Sequence, residues 1–251
     1  MGKESATDRG TFKQVKTAVI SDVHSNIEAL TAVFSDMEEA AIERVICLGD
    51  IVGYGADPEE CLLLIKERCD EVVAGNHDCA LRDLEEYTLL NPYAAEAMDY
   101  TRSILSDEWK NYLESLPMIF KENEIVYVHS SPHKPENWSY IVSREDALYE
   151  FRYFKGSAAF IGHSHKSGIY CHDGDTFDDE VILNENKRYI INVGSVGQPR
   201  DGNSHAAYAV YDEEMKKVSI NRVKYDVEAA AGKIRKAGLP DFLSSRLTAG
   251  I

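Results

Sequence analysis

Three short apolar runs in the first third of the chain alternate with segments of helical periodicity, and this rhythm restricts the fold more than any other feature. KTAVIS (16–21), RVICLGD (44–50) and VVAGNHD (72–78) read as strands. Between the first two, NIEALTAVFSDMEEA (26–40) places Ile27, Leu30, Val33, Phe34 and Met37 at helical spacing. Between the second and third, DPEECLLLIKERC (57–69) begins on an Asp-Pro helix entry. Strand–helix–strand–helix–strand predicts a parallel sheet with helices on its faces.

The rhythm breaks over residues 80–116, where LRDLEEYTLL, PYAAEAMDYTRSIL and DEWKNYLESL are helical and amphipathic. This predicts an insertion of two or three helices. Strand-like runs then dominate: PMIFKE, EIVYVHSSP, AAFIGHSH, SGIYCH, RYIINVGSV, HAAYAVYD and KKVSINRVKYD. SREDALYEFRYF (143–154) and YDVEAAAGKIRKAGL (225–239) are the intervening and late helices, the latter stopped by Gly238 and Pro240. Short turns between several of these strands predict partly antiparallel pairing. Residues 16–251 are expected to form one domain carrying the insertion, with 1–15 as a flexible leader.

Five apolar runs end in side chains able to hold a metal ion. KTAVIS leads into Asp22 and His24, RVICLG into Asp50, VVAG into Asn76 and His77, EIVYV into His129, and AAFIG into His163 and His165. In an open α/β sheet the carboxyl ends of parallel strands share an edge, and ligand crevices form outside it. Taken singly, a strand-end Asp or Asn is a turn former or helix cap, and a lone histidine is a structural one. Five such endings in order are not explained by turns alone. Imidazole suits zinc and iron, carboxylate and amide oxygens suit harder ions such as manganese, and the mixture fits a pair of divalent transition ions. Such a pair clamps the attacking and leaving oxygens of a phosphoryl transfer.

The elements D-x-H (22–24), G-D (49–50), G-N-H-D (75–78), His129 and G-H-x-H (162–165), in this order, resemble the calcineurin-like metallophosphoesterase superfamily over about residues 16–212. GDIVGYG and NVGSVGQPRDG look like its small prokaryotic branch of YfcE-like phosphodiesterases and diadenosine-tetraphosphate hydrolases. The resemblance implies a four-layer α/β/β/α sandwich with a dinuclear site. It implies that Asp22, His24 and His165 hold one ion, that Asp50 bridges, and that Asn76, His129 and His163 complete the second. His77 would not be a ligand but would act on the leaving-group oxygen. The cofactors implied are two divalent ions, Mn²⁺ foremost, with Fe, Zn, Ni or Co as alternatives.

The chain also departs from the family. Ser/Thr phosphatases of the superfamily carry G-D-x-x-D-R-G, whereas GDIVGYG lacks that Asp and Arg, so a protein-phosphatase role is not expected. Arg200 in GQPRDG is a candidate replacement cation, and Asn26 and Tyr54 are candidate pocket residues. His133, His172 and His205 have no motif support and are expected to be structural or exposed.

A net charge of −16 opposes binding to a nucleic-acid backbone or an anionic membrane, which points to a small phosphorylated substrate, a nucleotide among the options. Five cysteines without C-x-x-C pairing fit a reducing cytoplasm. The competing reading is a non-catalytic metal-binding scaffold, as in a retromer subunit of this fold that lacks the catalytic histidine. The 80–116 insertion leaves partner binding or homo-oligomerisation open.

Overall fold

The computed structural model describes residues 16–251, and the expected leader (1–15) lies outside the described residues. The alternating first third is β1 (Lys16–Ile20), α1 (Ile27–Glu39), β2 (Arg44–Cys47), α2 (Pro58–Arg68) and β3 (Glu71–Val72). Four helices follow: α3 (Asn76–Ala80), α4 (Leu84–Thr88), α5 (Pro92–Ile104) and α6 (Asp107–Glu114). Next come β4 (Ile119–Glu122), β5 (Ile125–Val128), α7 (Arg144–Glu150), β6 (Ala158–Ile161), β7 (Gly168–Cys171), β8 (Thr176–Phe177) and β9 (Glu180–Ile182). The chain finishes with β10 (Tyr189–Asn192), β11 (Ala206–Asp212), β12 (Lys217–Val223), α8 (Val227–Lys236) and α9 (Asp241–Ala249).

Helix boundaries follow local chemistry. Asn26 caps α1, its Oδ1 accepting from the Ala29 N–H at 3.1 Å. Pro58 opens α2, with Glu59 and Glu60 in its first turn and Lys66 and Arg68 in its last, matching the helix dipole. Asn91 caps α5 ahead of Pro92 in the same way.

Two six-stranded sheets result, in the orders β3-β2-β1-β11-β12-β9 and β4-β5-β6-β10-β7-β8. In the first, β1, β2 and β3 run parallel and β11 returns antiparallel to β1. In the second, β5, β6 and β10 are parallel while β4, β7 and β8 pair antiparallel. The two-residue period of each strand sorts its side chains between layers. Ala18 and Ile20 of β1 and Val45 and Cys47 of β2 join Leu30, Phe34, Leu62, Ile65 and Trp109 under the helices. Val19 and Ile46 turn the other way and meet Tyr127, Phe160 and Ile191 between the sheets. Val126, Ala159 and Ile190 face outward under Ala147 of α7 and Phe151 just beyond its end. The layers are therefore α/β/β/α, as the resemblance implied.

Three local readings are corrected. VVAGNHD is not a strand throughout: the ladder ends at Val72, and Asn76 and His77 lie in the first turn of α3. Val73 still donates to the Cys47 carbonyl at 2.9 Å, but Ala74 donates to Pro117 at 2.8 Å, which pulls the chain off the ladder. The short β8 and β9 and the terminal helix α9 were not foreseen.

Candidate metal centre

The parallel strands β1 and β2 of one sheet and β5 and β6 of the other release their chain ends toward a common edge, and the loops there are strained. Asp22 (φ 55°), His24 (48°), Asp50 (51°), His163 (64°) and His165 (58°) all occupy the left-handed region. Each such residue costs on the order of 1–3 kcal/mol, and a cluster persists only when its surroundings over-determine it. Here the loops hold one another. Asp22 N–H donates to Gly49 O at 3.0 Å, His24 N–H to Asp50 O at 2.9 Å, and Gly197 N–H to Asp22 O at 2.9 Å. The sharp turns let both polar residues of D-x-H, and both of G-H-x-H, face one centre.

Close approach explains two of the motif glycines. A Cβ on Gly75 would enter the Asp50 carboxylate and backbone, and one on Gly162 would enter the Ser21 and Asp22 side chains. Neither neighbour has room to retreat, because Asp50 and Asp22 are buried. Gly75→Ala is expected to destabilise the protein by about 2–3 kcal/mol and weaken metal binding, measured by denaturant unfolding and metal titration. Gly232→Ala, which adds a methyl to open space on α8, is the control and is expected to be neutral or mildly stabilising.

Two pockets share Asp50. Ligand atoms of Asp22, His24, Asp50 and His165 lie within 4.8 Å of one another, as do those of Asp50, His129 and His163. Asp50 Oδ2 stands 3.6 Å from His24 Nε2 and 3.4 Å from His129 Nε2. The far ring nitrogens are all committed. His24 Nδ1 donates to Val52 O (3.1 Å), His129 Nδ1 to Leu48 O (2.8 Å), His165 Nδ1 to Gln198 O (2.6 Å) and His163 Nε2 to Trp138 O (2.9 Å). A carbonyl only accepts, so the facing nitrogen carries the hydrogen and a neutral ring presents a bare lone pair at its other nitrogen. Backbone carbonyls behind metal-ligating histidines set the tautomer in this way.

These inward nitrogens meet in pairs: His24 Nε2 lies 3.1 Å from His165 Nε2, and His129 Nε2 lies 3.1 Å from His163 Nδ1. Bare lone pairs at that separation need a proton or a cation between them. Asn76 Oδ1 and Asp22 Oδ1 are buried acceptors without a hydrogen bond, adding two unspent oxygens. The residues present fit a pair of divalent ions in donor type, tautomer and unsatisfied acceptors.

The electrostatics agree. Burial would raise the Asp50 carboxyl, but the charges of His129, His77 and His24 hold it far below the usual range. Asp22 is likewise held low despite burial, chiefly by His165. Burial pushes His163 down to about 4 and His165 down to about 3, with Arg200 adding to the latter. Burial also opposes protonation of His129, but Asp50 outweighs it and lifts the group to about 9. Without ions the two carboxylates are thus ionised and His129 holds the compensating proton, which metal binding at the second pocket would release.

Around this centre lies a cleft of about 360 Å³ lined by Asp50, Asn76, His77, Tyr54, Tyr140 and Arg200 among others. His77 donates its backbone N–H to Asp50 Oδ1 at 2.8 Å, while its ring Nδ1 is buried without a partner. Burial pushes this imidazole down to about 3. Gly53 sits directly against that Nδ1, at the position where G-D-x-x-D-R-G has its Asp. Packing holds the ring instead: Tyr54 lies 4.5 Å from His77 and 4.6 Å from His24, ring centre to ring centre. The Arg200 guanidinium lies 5.5 Å over Tyr54 and donates to Gln198 Oε1 at 2.7 and 3.2 Å. The cation absent from GDIVGYG therefore approaches from the 198–202 loop.

Not every candidate opens to the cleft. Asn26 spends both polar atoms internally, capping α1 and donating from Nδ2 to Gly197 O at 2.8 Å, so it is a loop clamp. Asp78 braces the same loops, its Oδ1 accepting from Ile51 (3.0 Å) and Val52 (3.3 Å) and its Oδ2 from Gly75 (3.0 Å). His133 stacks on Tyr153, His172 accepts from Arg188 N–H, and His205 sits in a surface turn, all without contact to the centre.

Two aromatic residues went unforeseen. Tyr140 is 54% exposed and stacks on His163 at 4.1 Å. Trp138 supplies the carbonyl behind His163 and donates its indole N–H to Glu86 of α4 at 2.6 Å, tying the helical segment to the site. WSY within a polar stretch was the available signal, but nothing local says that it folds over a histidine 25 residues later.

Residues 15–216 match the family model of the calcineurin-like phosphoesterase superfamily domain. An uncharacterized protein of Methanocaldococcus jannaschii is 41% identical over 240 residues, covering 93% of this chain and 97% of that one. The crystal structure of a metallophosphoesterase from Sphaerobacter thermophilus superposes with a TM-score of 0.86 at 36% identity, over 95% of this chain and 100% of that one. A hypothetical protein of Pyrococcus horikoshii shares the fold at a TM-score of 0.78 and 22% identity, over 94% and 99% of the two chains.

Proposed function

This chain belongs to the calcineurin-like phosphoesterase superfamily and is a phosphoesterase, and on that premise we propose that it hydrolyses small phosphodiesters or phosphoanhydrides at a centre of two divalent transition ions. The observation that carries this reading is the position of Asp50 Oδ2, within 3.6 Å of His24 Nε2 and 3.4 Å of His129 Nε2, between two sets of inward-facing donors. Bound there, a pair of divalent ions supplies Lewis acidity, a water of lowered pKa and neutralisation of phosphoryl charge.

The side chains divide the remaining work. Asp22, His24 and His165 would hold one ion, Asn76, His129 and His163 would hold the other, and Asp50 would serve both. Asn76 contributes a neutral oxygen and so adds no negative charge where an anionic substrate must approach. His77 has no acceptor at Nδ1, and a buried unpaired N–H is costly; the hydrogen therefore belongs on Nε2, as a donor toward the leaving-group or phosphoryl oxygen. Arg200 orients the phosphoryl group, and Tyr54 holds both His77 and the guanidinium in place. The Tyr140 ring, with its inner face on His163, offers an exposed apolar wall to the leaving group.

The acidic surface favours compact substrates over polyanionic chains. Among the described residues no helix is long and apolar enough to cross a membrane. Mn²⁺ is the ion we would supply first, in a cytoplasmic setting consistent with five free cysteines. A scaffold role is the weaker reading, because His77 and all seven ligand positions are intact.

Purified protein is expected to hydrolyse bis-p-nitrophenyl phosphate with added Mn²⁺, to lose that activity in a chelator, and to regain it on Mn²⁺ return. Hydrolysis indifferent to the chelator would rule out the metal-dependent reading.

A further inference from the structure

We propose that Tyr140 and Leu89 form a leaving-group subsite at the metal centre, which selects phosphoesters carrying a flat, neutral aromatic group. This inference rests on the phosphoester-hydrolase reading above and narrows its substrate class. The cleft of about 360 Å³ that holds Asp50, His77 and His163 is also lined by Tyr140, Leu89, Leu90 and Asn91. These last four are neutral and lie outside the ligand set. Among the described residues that line the cleft, Asp50 is the one carboxylate and Arg200 the one Arg or Lys, in a chain with 43 Asp and Glu residues. A charged leaving group would need counter-charges along this wall. A neutral one matches it.

Two of the four are large, apolar and open to solvent: Leu89 is 74% exposed and Tyr140 54%, in one and the same cleft. Tyr140 is held as a plate. One face stacks on His163, with 4.1 Å between ring centres and 21° between planes, so the exposure belongs to the other face and the edge. His163 Nδ1 in turn lies 3.1 Å from His129 Nε2, which puts the plate one ring away from the second metal pocket. Aromatic rings favour offset stacking on such a face. The helical insertion supplies the rest of the wall. Leu89 N–H donates to Glu86 O at 3.1 Å and Leu90 N–H to Tyr87 O at 3.2 Å, closing the turn after α4. Glu86 also accepts the Trp138 indole N–H at 2.6 Å, which braces this turn against the loop of Tyr140. Asn91 Oδ1 accepts from the Ala94 N–H at 3.1 Å, leaving the NH₂ group as the half able to donate to a ligand. An aromatic plate beside a neutral donor fits a nucleobase or a simple aryl ring, and the chemistry they share is the flat ring.

The test measures binding of phenylphosphonate, cyclohexylphosphonate and methylphosphonate by calorimetry at fixed free Mn²⁺; none carries a hydrolysable phosphoester. Wild type is expected to bind phenylphosphonate about tenfold more tightly than methylphosphonate and about threefold more tightly than cyclohexylphosphonate, because both rings gain from burial but only the flat one stacks. In Tyr140→Ala the phenyl-to-methyl ratio should fall to within about twofold, whereas Tyr140→Phe, which keeps the ring, should retain it. Leu89→Ser, at an exposed position, should lower the ratio by about threefold. The phosphonate isostere of adenosine 5′-monophosphate separates the two sources: tighter binding than phenylphosphonate identifies a nucleobase, and weaker binding a simple aryl group. Wild type without the preference for phenyl over methyl, or over cyclohexyl, overturns the subsite. An equal loss of phenyl- and methylphosphonate binding in Tyr140→Ala also overturns it, since the ring would then be only a prop for His163. Absence of metal-dependent hydrolysis of bis-p-nitrophenyl phosphate by wild type would overturn the underlying function instead, which separates the two failures.

Discussion

Asp50→Asn is expected to lower metal-dependent hydrolysis by about a thousandfold or more and to reduce bound metal well below two ions per chain. The substitution is nearly isosteric, so the effect isolates charge. Asp50 Oδ1 accepts the His77 backbone N–H at 2.8 Å, and Oδ2 faces His24 and His129. In asparagine one of these atoms becomes an NH₂ group. If the oxygen keeps the His77 bond, the NH₂ group points at the bare histidine nitrogens and bonds to them. It then occupies with hydrogen bonds the space needed by cations. Removing a buried charge that serves both pockets costs electrostatic stabilisation worth several kcal/mol, and each 1.36 kcal/mol is a factor of ten in rate. The metal-free fold is expected to lose stability as well, because, despite burial, the charges of His129, His77 and His24 favour the carboxylate over its neutral form. Turnover, metal content and unfolding midpoint together check this. A variant with two ions and near-normal turnover would contradict the role given to Asp50.

His77→Ala is expected to separate chemistry from metal binding. The imidazole lines the cleft and its Nδ1 has no partner, so its removal strands no buried group. Loss of a positioned donor or acid typically costs about 10²–10⁴ in rate. We expect kcat to fall within that range while metal content stays near two per chain and the unfolding midpoint shifts by only the cost of a cavity beside Tyr54. Loss of metal together with activity would instead make His77 a ligand or a structural support. Full activity would remove it from the mechanism.

Much of the centre was legible in the sequence because strand periodicity fixes where a buried run must stop. Asp22, Asp50, His129 and His163 each follow an apolar run, and the topology then brings those ends together. VVAGNHD misled because Val72, Val73 and Ala74 look alike, yet only the first stays in the ladder before Gly75 starts α3. The positions of Asn76 and His77 in the centre survive that correction, since the start of α3 opens on the same edge. Tyr140 and Trp138 were not legible. Their places depend on a loop folding over His163, and that contact leaves no periodic trace. Arg200 was visible as a cation in a glycine-bearing loop, but its partnership with Tyr54 is a tertiary fact.

The most direct test of the central claim is anomalous diffraction from crystals of the Mn²⁺-loaded protein at the metal absorption edge. Two peaks are expected, one among Asp22, His24, Asp50 and His165 and one among Asp50, Asn76, His129 and His163, with the Asp50 carboxylate between them. A single peak, or metal bound elsewhere with these side chains unchanged, would contradict the dinuclear centre.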